Sequence, residues 1–117
     1  MGDKAIAISI RAAAGLGALL LAFGFEALAA GSSATYTVNM SQMRYGSLPG
    51  NLQVGDTIVW VNKDTVPHTV TARNRKFDLR IPAGKRASQT LTSAGSFPFY
   101  CIYHPAMRGT LKVGADT

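Results

Sequence analysis

The chain has one cysteine, two histidines and one tryptophan in 117 residues, and only six acidic side chains against twelve Lys and Arg. A single cysteine excludes an internal disulfide. Two histidines are too few for an enzyme built on several metal centres, because each further centre needs imidazoles of its own. The shortage of acid leaves a formal net charge of +6, which suits acidic partners or anionic surfaces. Long apolar runs are also missing. The longest is "AAAGLGALLLAFGF", Ala12 to Phe25, and Glu26 ends it short of the roughly 20 residues a membrane helix needs.

That run reads as something other than an anchor. Lys4 and Arg11 precede it, and the small residues Ala27-Leu28-Ala29 follow Glu26. A basic start, a short apolar stretch and an Ala-x-Ala site describe a secretory signal peptide, so residues 1–29 are expected to be removed. Residues 30–117 then form one small domain, in which a bound metal can matter to stability. Export makes nucleic acid a poor partner for the basic residues, which concentrate at Arg73, Arg75, Lys76, Arg80, Lys85 and Arg86. It also sharpens the question of Cys101. An unpaired cysteine in an exported domain points to a reactive thiol or a metal ligand.

Helical periodicity is absent after residue 30, and alternation takes its place. "TYTVNM" puts Tyr36, Val38 and Met40 on one face, while "TIVWVN" (Thr57 to Asn62) is almost continuously apolar. "HTVTA", a short piece near Phe77-Leu79, "ASQTLTS", "FPFYC" and "GTLKV" follow, separated by turn signals. Seven or eight short strands without an internal repeat predict an all-β fold, an antiparallel Greek-key sandwich. Parity places two side chains within it. Cys101 shares a face with Phe97 and Phe99, and His68 shares one with Val70 and Ala72, so both are expected to point inward where a strand meets a loop.

The chemistry concentrates in "CIYHPAM", where Cys101, His104 and Met107 are spaced Cys-x2-His-x2-Met, with His68 upstream in "VPHTV". Singly, each has a plainer reading: an inert buried thiol, a hydrogen-bonded strand histidine, a methionine filling the core. Together, one thiolate, two imidazoles and a thioether make the donor set of a blue-copper electron-transfer site. Soft sulfur favours Cu(I) and imidazole serves both oxidation states, so little rearranges when an electron arrives.

These residues, with the connecting run "VGDTIVWVNKDTVPHTVTA", resemble the cupredoxins, the small blue copper proteins. The short ligand loop with Pro105 after the second histidine is most similar to the amicyanin branch. The resemblance implies a Greek-key sandwich binding one type 1 copper ion, with His68, Cys101 and His104 as strong ligands and Met107 as the axial one. It implies a periplasmic one-electron carrier, not an enzyme, which docks redox partners transiently at an apolar surface around His104. Methylamine dehydrogenase, the amicyanin partner, is one candidate. Where amicyanins carry Asn directly after the first ligand histidine, this chain has Thr69, so what ties the two ligand loops together is left open.

Two rival classes compete with an electron carrier. A Cys-His nucleophilic pair leaves His68 and Met107 unexplained and has no orienting third member. A copper carrier that hands Cu(I) to a periplasmic partner is the stronger alternative, but such proteins use exposed Met or His clusters. After processing, Met40, Met43 and Met107 are the methionines that remain. Zinc is disfavoured because thioether is a poor ligand for it.

Overall fold

A computed structural model describes residues 32–115, and the expected signal segment lies outside them. Among these residues there are nine strands and no helix. The strands are β1 (Thr35–Ser41), β2 (Arg44–Tyr45), β3 (Leu52–Gln53), β4 (Thr57–Asn62), β5 (His68–Ala72), β6 (Asp78–Ile81), β7 (Arg86–Thr90), β8 (Gly95–Tyr100) and β9 (Arg108–Gly114). They form two sheets, in the orders β2-β1-β4-β7 and β3-β9-β8-β5-β6.

The alternation read in the sequence accounts for the core. Val38 and Met40 of β1 turn inward while Thr37 and Asn39 face solvent, and Ile58 and Trp60 of β4 join them. Val70, Phe97, Phe99, Leu111 and Val113 come from the opposite sheet. Tyr45, Trp60 and Phe99 meet edge to face, with ring centroids 4.8 to 5.8 Å apart, the arrangement that ring quadrupoles favour. Gly109 sits opposite Phe99 on the neighbouring strand. A Cβ there would come within 2.7 Å of the Phe99 ring, so the ring lies directly against bare backbone.

Two features differ from the sequence expectation. The all-β sandwich is present, but its sheets are mixed: β1 runs parallel to β4 from Thr35↔Thr57 to Met40↔Asn62, and β3 runs parallel to β9. Parallel neighbours need a long crossover. Residues 42–56, with the short β2 and β3, supply it between β1 and β4. Second, β5 is buried at all five positions: Thr69 and Thr71, which alternation puts on the face away from His68, Val70 and Ala72, do not reach solvent either. β5 is an inner strand of its sheet, and its two hydroxyls meet a backbone amide and a carboxylate instead of water.

Candidate metal centre

The position of the site follows from where one β-ladder stops. Strands β5 and β8 pair only at Thr71↔Tyr100 and Ala72↔Phe99. One step further along the same two strands, side chains replace the ladder. The Thr69 N–H points to Cys101 Sγ at 3.4 Å, and the Ile102 N–H is taken by Thr69 Oγ1 at 2.9 Å. The sheet opens between His68 and Cys101, and a gap lined by sulfur and imidazole takes the place of backbone pairing.

Both residues are fully buried. His68 Nδ1 lies 3.8 Å from Cys101 Sγ, too long for a strong hydrogen bond. It is the separation of two donors sharing one metal ion at bond lengths of about 2.0–2.3 Å with a bend at the ion. The other ring nitrogen is already used: Nε2 is 2.7 Å from Asp64 Oδ2. An ionised carboxylate only accepts, so Nε2 carries the proton and Nδ1 turns its lone pair toward the sulfur. A carboxylate behind a ligating histidine is the common way of fixing tautomer and ring angle.

Asp64 is absent from the sequence reading, and it holds more than the histidine. Its carboxylate also accepts the Gln42 and Met43 amides at 2.8 and 3.0 Å. Those two residues form the tight turn between β1 and β2 with φ of 56° and 60°, a left-handed pair that is costly without glycine. The hydrogen bond from His68 is the first reason that Asp64 titrates below its ordinary range, and the two turn amides add to it. One signal was available: Asp64 stands four residues before His68 in a turn-rich stretch.

The remaining donors come from the loop after β8. Cys101 C=O accepts the His104 N–H, and His104 C=O accepts the Met107 N–H, at 3.2 and 2.8 Å. Successive bonds between residues three apart bring every third side chain to one side, which is the physical content of the Cys-x2-His-x2-Met spacing. Cys101 N–H closes the base of the loop on Met107 C=O at 3.0 Å. Met107 is buried, and the His104 ring, half-exposed, lies 5.6 Å from the His68 ring at 71°. The structure thus brings His68 and Cys101 together with the His104 ring beside them, and holds Met107 on the same loop through backbone bonds; the four donor types suit a copper ion.

Thr69 answers the question left by the missing asparagine. Its hydroxyl accepts the Ile102 N–H and so ties the two candidate ligand loops; its N–H reaches Cys101 Sγ, and its carbonyl accepts the Tyr45 hydroxyl. Burial pushes the Tyr45 phenol well above its ordinary range, with nearby Cys101 adding to the effect, so Tyr45 stays a neutral donor. A concavity of about 580 Å³ opens at His104 and Met107, lined also by Met43, Arg44, Tyr45, Ala106 and Arg108.

Known proteins resemble this chain in sequence and fold. Amicyanin of Paracoccus denitrificans is 33% identical over 82 residues, covering 65% of this chain and 63% of that protein. Amicyanin-alpha of Methylorubrum extorquens is 25% identical over 103 residues, covering 82% and 86%. The match spans less than two thirds of the Paracoccus denitrificans protein. Among solved structures, the Cu(I) form of one amicyanin variant superposes with a TM-score of 0.58 at 29% identity, covering 68% of this chain and 81% of that one. An oxidised variant gives 0.59 at 28%, covering 67% and 80%. A family model described as the cupredoxin-like domain matches residues 13–113: the chain belongs to that family.

Proposed function

We propose that this protein binds one type 1 copper ion through His68, Cys101, His104 and Met107 and carries single electrons between larger redox proteins in the periplasm. The observation that carries this reading is the buried pair His68 Nδ1 and Cys101 Sγ, 3.8 Å apart, with Asp64 holding the opposite nitrogen. Copper supplies the Cu(II)/Cu(I) couple. The chain's own residues do the rest. Asp64 and the Thr69 backbone orient His68 and the thiolate before metal enters, and the loop hydrogen bonds hold His104 and Met107 in register. Trp60, Phe99 and Tyr45 keep water from the inner side. A site held this firmly has little to rearrange on electron transfer.

His104 is the ligand with access to solvent, which makes its edge the route for electrons. Exposed Pro105 and Ala106 follow His104 in the chain, exposed Pro67 directly precedes His68, and Met43, Arg44, Ala106 and Arg108 share a concavity with His104. Such a surface suits a brief encounter with an acidic redox protein, a methylamine dehydrogenase being one candidate. Redox encounters use small interfaces, and the protein acts as a monomer once residues 1–29 are removed.

The visible spectrum tests the reading. Purified protein with Cu(II) should show an intense blue band that bleaches with ascorbate and returns on reoxidation. Cys101→Ser should abolish it. Bound copper without the band, or copper lost to a chelator on each reduction, would move a Cu(I)-delivery role to first place.

A further inference from the structure

Behind Thr69 lies a line of polar contacts that the ligand set does not use. Thr71 Oγ1 is 2.9 Å from Thr69 Oγ1 and 2.8 Å from Asp78 Oδ1. Both threonines are fully buried, 0% and 1% exposed, so water does not complete their bonding. Asp78 sits at the surface, where Arg80 grips it with two nitrogens: Nε at 3.0 Å from Oδ1 and Nη2 at 2.9 Å from Oδ2. That fork, the first reason for its lowered titration, keeps Asp78 ionised.

The order of protons follows from counting donors. A hydroxyl has one proton, and Thr71 has two oxygens within reach. Asp78, as a carboxylate, can only accept, so Thr71 donates outward to it. Thr71 must then accept from Thr69. Thr69 gives its proton away to Thr71 and turns its remaining lone pairs to the Ile102 N–H. Each bond in such a chain polarises the next, and the negative charge at its end makes Thr69 Oγ1 a stronger acceptor. The amide it receives belongs to the residue directly after Cys101.

We propose that Thr71 and Asp78 are positioning residues: with Thr69 they form a directed hydroxyl relay, Ile102 N–H to Thr69 to Thr71 to Asp78, that pins the peptide following the cysteine ligand. The hydrogen bonds of Thr71 and Asp78 run to Thr69, to each other and to Arg80, not to the four candidate ligands. Their effect passes through Thr69, whose N–H also reaches Cys101 Sγ. Loosening the relay therefore frees the Cys101–Ile102 peptide and weakens the hydrogen bond to sulfur.

The proposal deepens the copper reading and rests on it for its function, but the relay is measurable without metal. Amide hydrogen exchange at Ile102 in the metal-free protein should speed by about tenfold in Thr71→Val relative to the β4 amides. Thr71→Ser should restore it. In the copper-loaded protein, Thr71→Val should lower the reduction potential and Thr71→Ser return it. Unchanged Ile102 exchange in Thr71→Val would overturn the relay. So would a rise spread equally over β4, which would mark plain loss of stability, or a rise at Ile102 with potential and blue band untouched. Should Thr71→Val fail to fold, Asp78→Ala, at the half-exposed end, is read in the same way. A wild-type protein that stays colourless with copper would defeat the metal reading while leaving the exchange result intact.

Discussion

At the residue scale, the Asp64 carboxylate joins two strained places: the left-handed Gln42-Met43 turn and the buried His68 ring. Replacing it with Ala orphans two amides and one imidazole nitrogen together. Asp64→Ala should weaken copper binding by about 10- to 100-fold, read by competition with a chelator. It should also cost the metal-free protein about 1–3 kcal/mol in urea unfolding. Unchanged affinity would show that packing alone orients His68. Cys101, His104 and Met107 stand out in the sequence as candidate donors because their spacing is local and repeats every three residues. Asp64 does not: its role depends on where a turn some twenty residues earlier folds back, and a lone acidic residue among turn formers carries no such information.

At the scale of elements, Asn62 sets the loop that delivers His68. It ends β4 with a fully buried side chain. Its amide nitrogen has the Val66 and Ile81 carbonyls at 2.9 and 3.0 Å, and its oxygen accepts the Asp64 N–H at 2.9 Å. One side chain thus holds both ends of the β4–β5 turn and a neighbouring strand end. Asn62→Ala should cost about 1–3 kcal/mol, because it orphans the buried Ile81 carbonyl and strips the part-buried Val66 carbonyl and Asp64 amide of their partner. Chemical denaturation measures this; a loss below about 0.5 kcal/mol would mean the loop is held by its packing. The almost apolar "TIVWVN" identified β4 as a well-covered strand, yet it gave no sign that its final Asn carries the turn. The buried threonines of β5 escaped for a related reason. Alternation reports two faces, and here the second face is covered by a loop and a neighbouring strand.

At the scale of the molecule, charge and pH enter. The basic side chains at Arg73, Arg75, Lys76, Arg80, Lys85 and Arg86 are all exposed, so encounter with an acidic redox protein should slow as ionic strength rises. Stopped-flow electron transfer between about 10 and 300 mM salt reads this, since the Debye length shrinks from about 30 Å to under 8 Å across that span. A flat profile would leave the apolar rim of His104 as the whole docking surface. Acid acts on the fold itself. Asp64 and Asp78 both titrate below their ordinary range, through the His68 hydrogen bond in one case and the Arg80 hydrogen bonds in the other. A carboxyl with a lowered folded pKa binds its proton less readily folded than unfolded. Its contribution is complete above about pH 4, the ordinary Asp value, and is lost as pH falls through the depressed folded value. The urea midpoint of the metal-free protein should therefore fall below about pH 4, and less so in the Asp78→Asn variant.

The sequence by itself determined the class of the fold and named the candidate donors. Alternating apolar residues can bury one face only as strands, and Cys-x2-His-x2-Met lies within a single loop whose own backbone bonds align it. Tertiary structure alone decided what holds those donors in place. The parallel pairing of β1 with β4, the end of the β5–β8 ladder beyond Tyr100, and the Thr69–Thr71–Asp78 line all join residues distant in the chain. Such contacts depend on how strands are ordered in space, and hydrophobic pattern leaves that order free.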